Sequence, residues 1–184
     1  MNKYGTTAGY FTGMEEAELI EGCIRNSRAA QKRLYDNYCD AMFSIAFRIT
    51  GDEGFAADAL QESFINIFRE IKHLRNRQAL ASWIKSIVIR TSLKVVRKYK
   101  RIQFTDDPIN GHPVEWPEPM RGEDLERAIL SLPEGYRLVF LLVEVEGYKH
   151  QEVATMLGIS EGTSKSQLYH SKRYLQRLLK GDWI

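Results

Sequence analysis

Gly147-Tyr-Lys-His-Gln-Glu-Val-Ala-Thr-Met-Leu-Gly-Ile-Ser-Glu-Gly-Thr-Ser-Lys-Ser-Gln-Leu-Tyr-His170 spells two short helices around a sharp turn. Gly158 lacks a Cβ and can take the left-handed backbone that closes a helix, while Ser160 can cap the next one by accepting the N–H of Gly162 or Thr163. Val153, Ala154 and Leu157 give the first helix an apolar side. Ser164, Leu168, Ser171, Leu175 and Leu178 recur at three- and four-residue steps and give the second helix its own. The other side of that helix carries Gly162, Ser166, Tyr169, His170, Arg173 and Arg177. The pattern is a helix-turn-helix, and its outward face suits DNA. Gly162 lets backbone approach a phosphate at a helix N-terminus, the cations neutralise phosphates, and Ser166, Tyr169 and His170 are short enough to reach base edges. Two amphipathic helices around a Gly-x-Ser turn also occur in ordinary bundles, so the rest of the chain must supply the context.

With 184 residues the chain can hold one large domain or two small ones. It is 43% hydrophobic and 27% charged, the balance of a soluble globular protein. No apolar run approaches the roughly 18 residues that span a bilayer, and the N-terminus lacks the basic-then-apolar pattern of a secretory signal. A cytoplasmic protein without membrane insertion is expected. Cys23 and Cys39 form no CxxC pair, and His73, His112, His150 and His170 show no ligand spacing, so neither metal nor cofactor is expected. No clustered carboxylates or nucleophile with a paired base point to catalysis, so no catalytic residue is assigned.

Net charge is only +2, but its distribution is uneven. Seven Lys and Arg residues and no acid lie between Lys85 and Arg101, whereas seven acids and the single Arg121 lie between Gln103 and Glu126. Between Glu161 and Lys180 the balance is basic again, with five cations against Glu161. Two basic segments flanking an acidic one fit two surfaces that each meet a polyanion.

Pro108, Pro113, Pro117 and Pro119 fall inside the acidic segment beside Asn110-Gly111, so no helix can run through it. The expected organisation is an unassigned tail over 1–14, a helical domain over 15–101, a flexible Pro-rich acidic linker over 102–121, and a helix-turn-helix domain over 122–184. The first domain reads as helices throughout. Its stripes are Leu19, Cys23 and Ile24; Leu34, Tyr38, Met42, Ile45 and Ile49; Ala56, Leu60, Phe64, Ile67, Phe68 and Ile71; and Leu80, Ile84, Ile87, Val88, Leu93 and Val95. The second domain adds a helix over 123–132 and one starting near Pro133 whose buried side is Tyr136, Val139, Phe140 and Val143. The fold class is all-α, with two small helical domains.

Asp58, Gln61 and Glu62 sit at i, i+3 and i+4, sharing a face turned away from Leu60, Phe64 and Ile67. That face is a polar patch of defined geometry, for which a plain solvated surface is the commoner explanation. The next stripe places Trp83 ahead of Lys85, Arg90, Lys94, Arg97, Lys98, Lys100 and Arg101. An aromatic beside a ladder of cations can stack on an unpaired base while the cations follow the backbone, although a lone Trp is by default a core residue.

Asp58-Ala-Leu-Gln-Glu-Ser-Phe64, Ser82-Trp83-Ile84, the basic helix, the Pro-rich linker, Leu132-Pro-Glu-Gly-Tyr-Arg137 and Gly158-Ile-Ser-Glu-Gly-Thr-Ser-Lys-Ser166 together resemble the extracytoplasmic-function group of bacterial RNA polymerase sigma factors. The resemblance covers residues 15–179 and rests on the order and spacing of the motifs. It implies a promoter-melting domain and a minus-thirty-five-reading domain joined by a linker. Asp58, Gln61 and Glu62 would face the β′ clamp of the polymerase. Lys72, Arg75, Asn76, Arg77, Trp83, Arg90, Lys94, Arg97 and Lys98 would engage the minus-ten element as a melted single strand. Gly162, Lys165, Ser166, Gln167, Tyr169, His170 and Arg173 would read the minus-thirty-five duplex. The implied partners are core RNA polymerase, through its β′ clamp and β flap, promoter DNA in double- and single-stranded form, and an anti-sigma factor.

Some positions depart from the pattern. Arg90 and Lys94 stand where many members have Asn and Asp, Ser164 where Val is usual, and Gln167 where Arg is usual. Gln favours adenine where Arg favours guanine, so a changed promoter preference is expected, and Ser164 implies either slightly poorer packing or a hydroxyl bonded back to a carbonyl one turn earlier. The competing reading is an autonomous helix-turn-helix regulator whose first domain serves sensing or dimerisation.

Overall fold

The computed structural model describes residues 13–99, 102–104, 109 and 122–180, and these contain helices and turns but no strand. Most of the expected linker, residues 1–12 of the expected tail, and the basic residues Lys100 and Arg101 lie outside the described residues. The chain divides into two compact units, Met1–Tyr99 and Lys100–Ile184.

The first unit contains α1 (Gly13–Ile24), α2 (Arg28–Thr50), α3 (Glu53–Glu70) and α4 (Leu80–Tyr99). Residues with strong capping chemistry set the boundaries. The Ser27 hydroxyl accepts the Ala30 N–H at the start of α2, and the Asp52 carboxylate accepts the Phe55 N–H at 2.9 Å at the start of α3. Between them Gly51, at φ 65°, returns its N–H to the Phe47 carbonyl and ends α2. Short 3-10 turns at Ile71–His73 and Arg77–Ala79 carry the chain from α3 to α4, the second capped by the Asn76 side chain accepting the Gln78 N–H.

Every stripe read from the sequence contributes to one core, which gathers Leu19, Ile20 and Cys23 from α1, Leu34, Met42 and Ala46 from α2, Leu60, Phe64 and Ile67 from α3, and Leu80, Ile84 and Val88 from α4. Ile24 differs, standing at the end of α1 with 36% exposure, and Ile20 takes the buried place instead. Both cysteines are free; burial pushes the Cys23 thiol up to about 11, which keeps it protonated and unreactive.

The second unit contains α5 (Gly122–Ser131), α6 (Glu134–Phe140), α7 (His150–Leu157) and α8 (Glu161–Lys180), with α8 packed against each of the other three. Pro133 is the N-cap of α6. Just behind it Gly135 meets the chain so closely that a Cβ there would lie 2.6 Å from the Gln103 carbonyl oxygen. Arg137 is buried, and its guanidinium donates to the carbonyls of Leu130 and Leu132, both at 3.4 Å, closing the end of α5. Burial lowers the Arg137 pKa, an effect opposed by Glu134 at 3.6 Å.

Beyond α6 the helix continues as a π-helical segment, Leu141–Val145, closed by the Glu146 N–H donating to Leu141. The wider turn rotates the side chains. Tyr136 and Val139 are buried as expected, but Leu141 and Leu142 are buried while Phe140 and Val143 are only half-buried, a shift from the stripe expected of an uninterrupted helix.

Candidate nucleic-acid interfaces

The turn between α7 and α8 forms as its residues require. Gly158 has φ 71° and donates its N–H to the Ala154 carbonyl, and the Ser160 hydroxyl accepts the Thr163 N–H at 2.9 Å. At the other end of α7 the Glu152 carboxylate reaches back to the Lys149 N–H at 2.8 Å, so α7 too has a fixed start. Val153 and Leu157 of α7 and Ser164, Leu168, Ser171, Leu175 and Leu178 of α8 are buried, which fixes which side of α8 faces outward.

Two polar contacts set the position of α8. The Ser171 hydroxyl donates to Gln167 O at 2.7 Å and lies 3.1 Å from Tyr136 O, tying α8 to α6. Ser164 Oγ lies 2.9 Å from His150 Nδ1, tying α8 to α7. Ser164 thus has a ring nitrogen as a partner across the turn, beside the backbone of its own helix.

Outward, Tyr169 is 56% exposed, His170 and Ser166 are half-buried, and Arg173 and Lys165 are exposed. Three of these side chains form one cluster. The Tyr169 ring meets His170 edge-on at 5.3 Å, and Arg173 donates to the Tyr169 hydroxyl at 3.3 Å while its guanidinium stands 5.7 Å from the ring centre. Lys165 pairs with Glu161 at 2.7 Å; that hydrogen bond and the ammonium charge hold the Glu161 carboxyl below its usual range. At Gly162 a Cβ would meet only Ser160 Oγ, at 3.5 Å, so the N-terminus of α8 is sterically open.

Gln167 departs from its expected role. It is fully buried, at 0% exposure, three residues after Ser164 and four before Ser171, and so belongs to the inward stripe. A side chain enclosed there is not presented to a base edge, and the adenine preference expected from it falls away.

In the first unit α3 and α4 run antiparallel, with Phe55 stacked on Tyr99 at 5.2 Å. Asp58 and Gln61 are exposed on α3 and Glu62 is half-buried. Arg90, Lys94, Arg97 and Lys98 are exposed on α4. The two faces meet, because Lys94 Nζ lies 2.7 Å from Glu62 Oε1. Trp83 is half-buried and packs against the core. Lys72, Arg75, Asn76 and Arg77 surround the 3-10 turns, where Asn76 also serves as a cap and Arg77 lies 3.4 Å from Glu21.

Beside Gln61 a groove of about 520 Å³ opens between Tyr35 and Phe43 of α2 and Phe64, Ile65 and Phe68 of α3. Sequence reasoning missed it, although a signal was present. Ile65 follows Gln61 by four and Glu62 by three, so an apolar residue occupies the polar face, and it is 50% exposed. Among the described residues no helix is long and apolar enough to cross a membrane, and no cluster of His, Cys, Asp or Glu could hold a metal ion.

Comparison with known proteins places both units. Residues 34–102 match the Sigma-70 region 2 family and residues 122–175 match the Sigma-70, region 4 family. The chain is 28% identical over 155 residues to the ECF RNA polymerase sigma factor SigE of Mycolicibacterium smegmatis, covering 79% of this chain and 60% of that protein. It is also 28% identical over 142 residues to the RNA polymerase sigma factor SigV of Bacillus subtilis, covering 76% of this chain and 86% of that protein. The chain belongs to the extracytoplasmic-function group of sigma factors. These are non-enzymatic initiation factors that direct RNA polymerase to promoters. The presence of both regions, in this order, sets aside an autonomous regulator built on the second unit alone. Among solved structures, the sigma factor RpoE in complex with the anti-sigma factor NepR from Bartonella quintana shares 19% identity at a TM-score of 0.48, over 83% of this sigma factor and 98% of that chain.

Proposed function

We propose that the two units of this sigma factor divide promoter recognition. The first, over 15–101, docks on the polymerase β′ clamp through Asp58, Gln61 and Glu62 and holds the melted minus-ten strand on α4 and the turns before it. Lys72, Arg75, Asn76, Arg77, Arg90, Lys94, Arg97 and Lys98 supply its polar contacts, with the exposed part of Trp83 offering a stacking surface. The second unit, over 122–184 and joined through 102–121, reads the minus-thirty-five duplex with Ser166, Tyr169, His170 and Arg173 of α8, assisted by Gly162 and Lys165. The β flap is its polymerase contact. An anti-sigma factor in the cytoplasm is the natural antagonist of such a chain.

The observation that carries this reading is the α3–α4 hairpin, which presents acids on one helix and exposed cations on the next. One small unit thereby offers one face to a basic protein surface and another to a nucleic-acid backbone. The Asp58→Lys variant tests the docking half. Because Asp58 is exposed, its reversal should leave thermal unfolding within about 0.5 kcal/mol while weakening core binding about tenfold or more. Undiminished affinity for core polymerase, measured by titration of labelled chain, would overturn the assignment of the α3 face.

A further inference from the structure

The ion pair between Glu62 and Lys94 joins two surfaces that the proposed function assigns to different partners. Its residues stand 32 apart in sequence and meet only because α3 and α4 lie antiparallel in this register. Both side chains are accessible, at 42% for Glu62 and 71% for Lys94, so each can exchange its present contact for an external one. Glu62 also acts electrostatically on Lys98, one turn further along α4.

A carboxylate oxygen 2.7 Å from an ammonium offers it the charge and acceptor geometry of a phosphate oxygen. It also sets a negative charge where a DNA backbone would approach α4. A cation on the polymerase that engages Glu62 weakens this internal pair, because one carboxylate cannot hold two ammonium groups at full strength.

Resting on the reading above, we propose that Glu62 is an internal competitor for DNA: it occupies Lys94 in the free chain, and polymerase docking on Glu62 releases Lys94 to the melted strand. Polymerase binding and single-strand binding are then positively linked, and each strengthens the other by the same factor. The pair is solvent-exposed, so that factor is about two- to fivefold. A competitor of this strength biases the free chain against strand binding and yields readily in the complex.

The test is a double-mutant cycle read by fluorescence anisotropy on a labelled single-stranded DNA oligonucleotide, with the full chain as wild type, Glu62→Gln, Lys94→Gln and the double variant. Glu62→Gln should tighten binding about two- to fivefold and steepen the dependence of log K on log salt by about 0.7, one phosphate contact. In the Lys94→Gln background both effects should vanish. In holoenzyme assembled with core polymerase, Lys94→Gln should cost about two- to fivefold more strand affinity than in the free chain.

Tightening that survives without Lys94 would reduce the effect to general charge removal and overturn the competitor. Lys94→Gln weakening the free chain while Glu62→Gln changes nothing would overturn it as well, leaving the reading of α4 intact. Equal Lys94→Gln penalties in the free chain and the holoenzyme would overturn the linkage. If neither Lys94→Gln nor a combined Arg97→Ala and Lys98→Ala variant altered strand binding, the assignment of α4 to DNA would fall, and the competitor with it.

Discussion

Gln167 and His170 lie within one turn of α8 and have opposite surroundings: Gln167 is buried on the stripe that carries Ser164 and Ser171, facing Gly135 of α6, and His170 lies against Tyr169 on the outward side. Their substitutions should therefore separate stability from selectivity. Gln167→Ala removes a buried amide and leaves a void, so it should cost about 1–3 kcal/mol of unfolding free energy and leave promoter preference as it was. His170→Ala should leave unfolding within about 0.5 kcal/mol while costing about 1–3 kcal/mol on the preferred minus-thirty-five sequence and relaxing selectivity there. Selection from randomised promoters, paired with denaturant unfolding, reads both. A changed preference for Gln167→Ala, or an unchanged one for His170→Ala, would contradict this division. The burial of Gln167 could have been read from the chain, since it stands at i+3 from Ser164 and i−4 from Ser171; resemblance placed it outside where spacing placed it within.

At the scale of elements, the helix-turn-helix was legible because its boundaries rest on local chemistry, and Gly158 and Ser160 act within a few residues of themselves. Replacing Ser160 by Ala should accordingly cost about 1 kcal/mol, the worth of a missing N-cap. The effect should appear as faster amide exchange at Thr163, whose N–H the hydroxyl accepts. Unaltered exchange would show that the Ser160 hydroxyl does not hold the start of α8. The apolar stripes of α2, α3 and α4 were legible for a similar reason, as a 3.6-residue period marks a buried face whatever it packs against. The π segment was not. Leu141 and Leu142 are buried in place of Val143 because a wider turn interrupts the period, and Leu-Leu-Val-Glu-Val carries no residue that demands one. The contact of Glu62 with Lys94 was equally hidden, because it depends on how two helices register across the turns between them, and composition encodes charge without register.

For the whole molecule, a net charge of +2 conceals a separation of tasks, since each compact unit carries its own core and its own basic face. The core of the first unit draws on α1 to α4, and the second packs α5, α6 and α7 on α8. Binding specificity should therefore divide with the chain. A fragment covering 13–99 should fold cooperatively, bind single-stranded minus-ten DNA, and show no preference among minus-thirty-five duplexes. A fragment covering 122–180 should do the reverse, preferring its duplex site over single strands. Their salt responses should differ in kind, because each neutralised phosphate adds about 0.7 to the log–log slope on a single strand and about 0.9 on a duplex. Replacing Arg97 and Lys98 by Ala should consequently flatten the slope of the first fragment by about 1.4 and leave the second assignment untouched, because both residues lie on α4. Circular dichroism establishes folding of each piece, and anisotropy titrations across a salt series read the slopes. A minus-thirty-five preference retained by 13–99, or a slope indifferent to the Arg97 and Lys98 replacements, would show that the faces of the two units do not carry the recognition assigned to them.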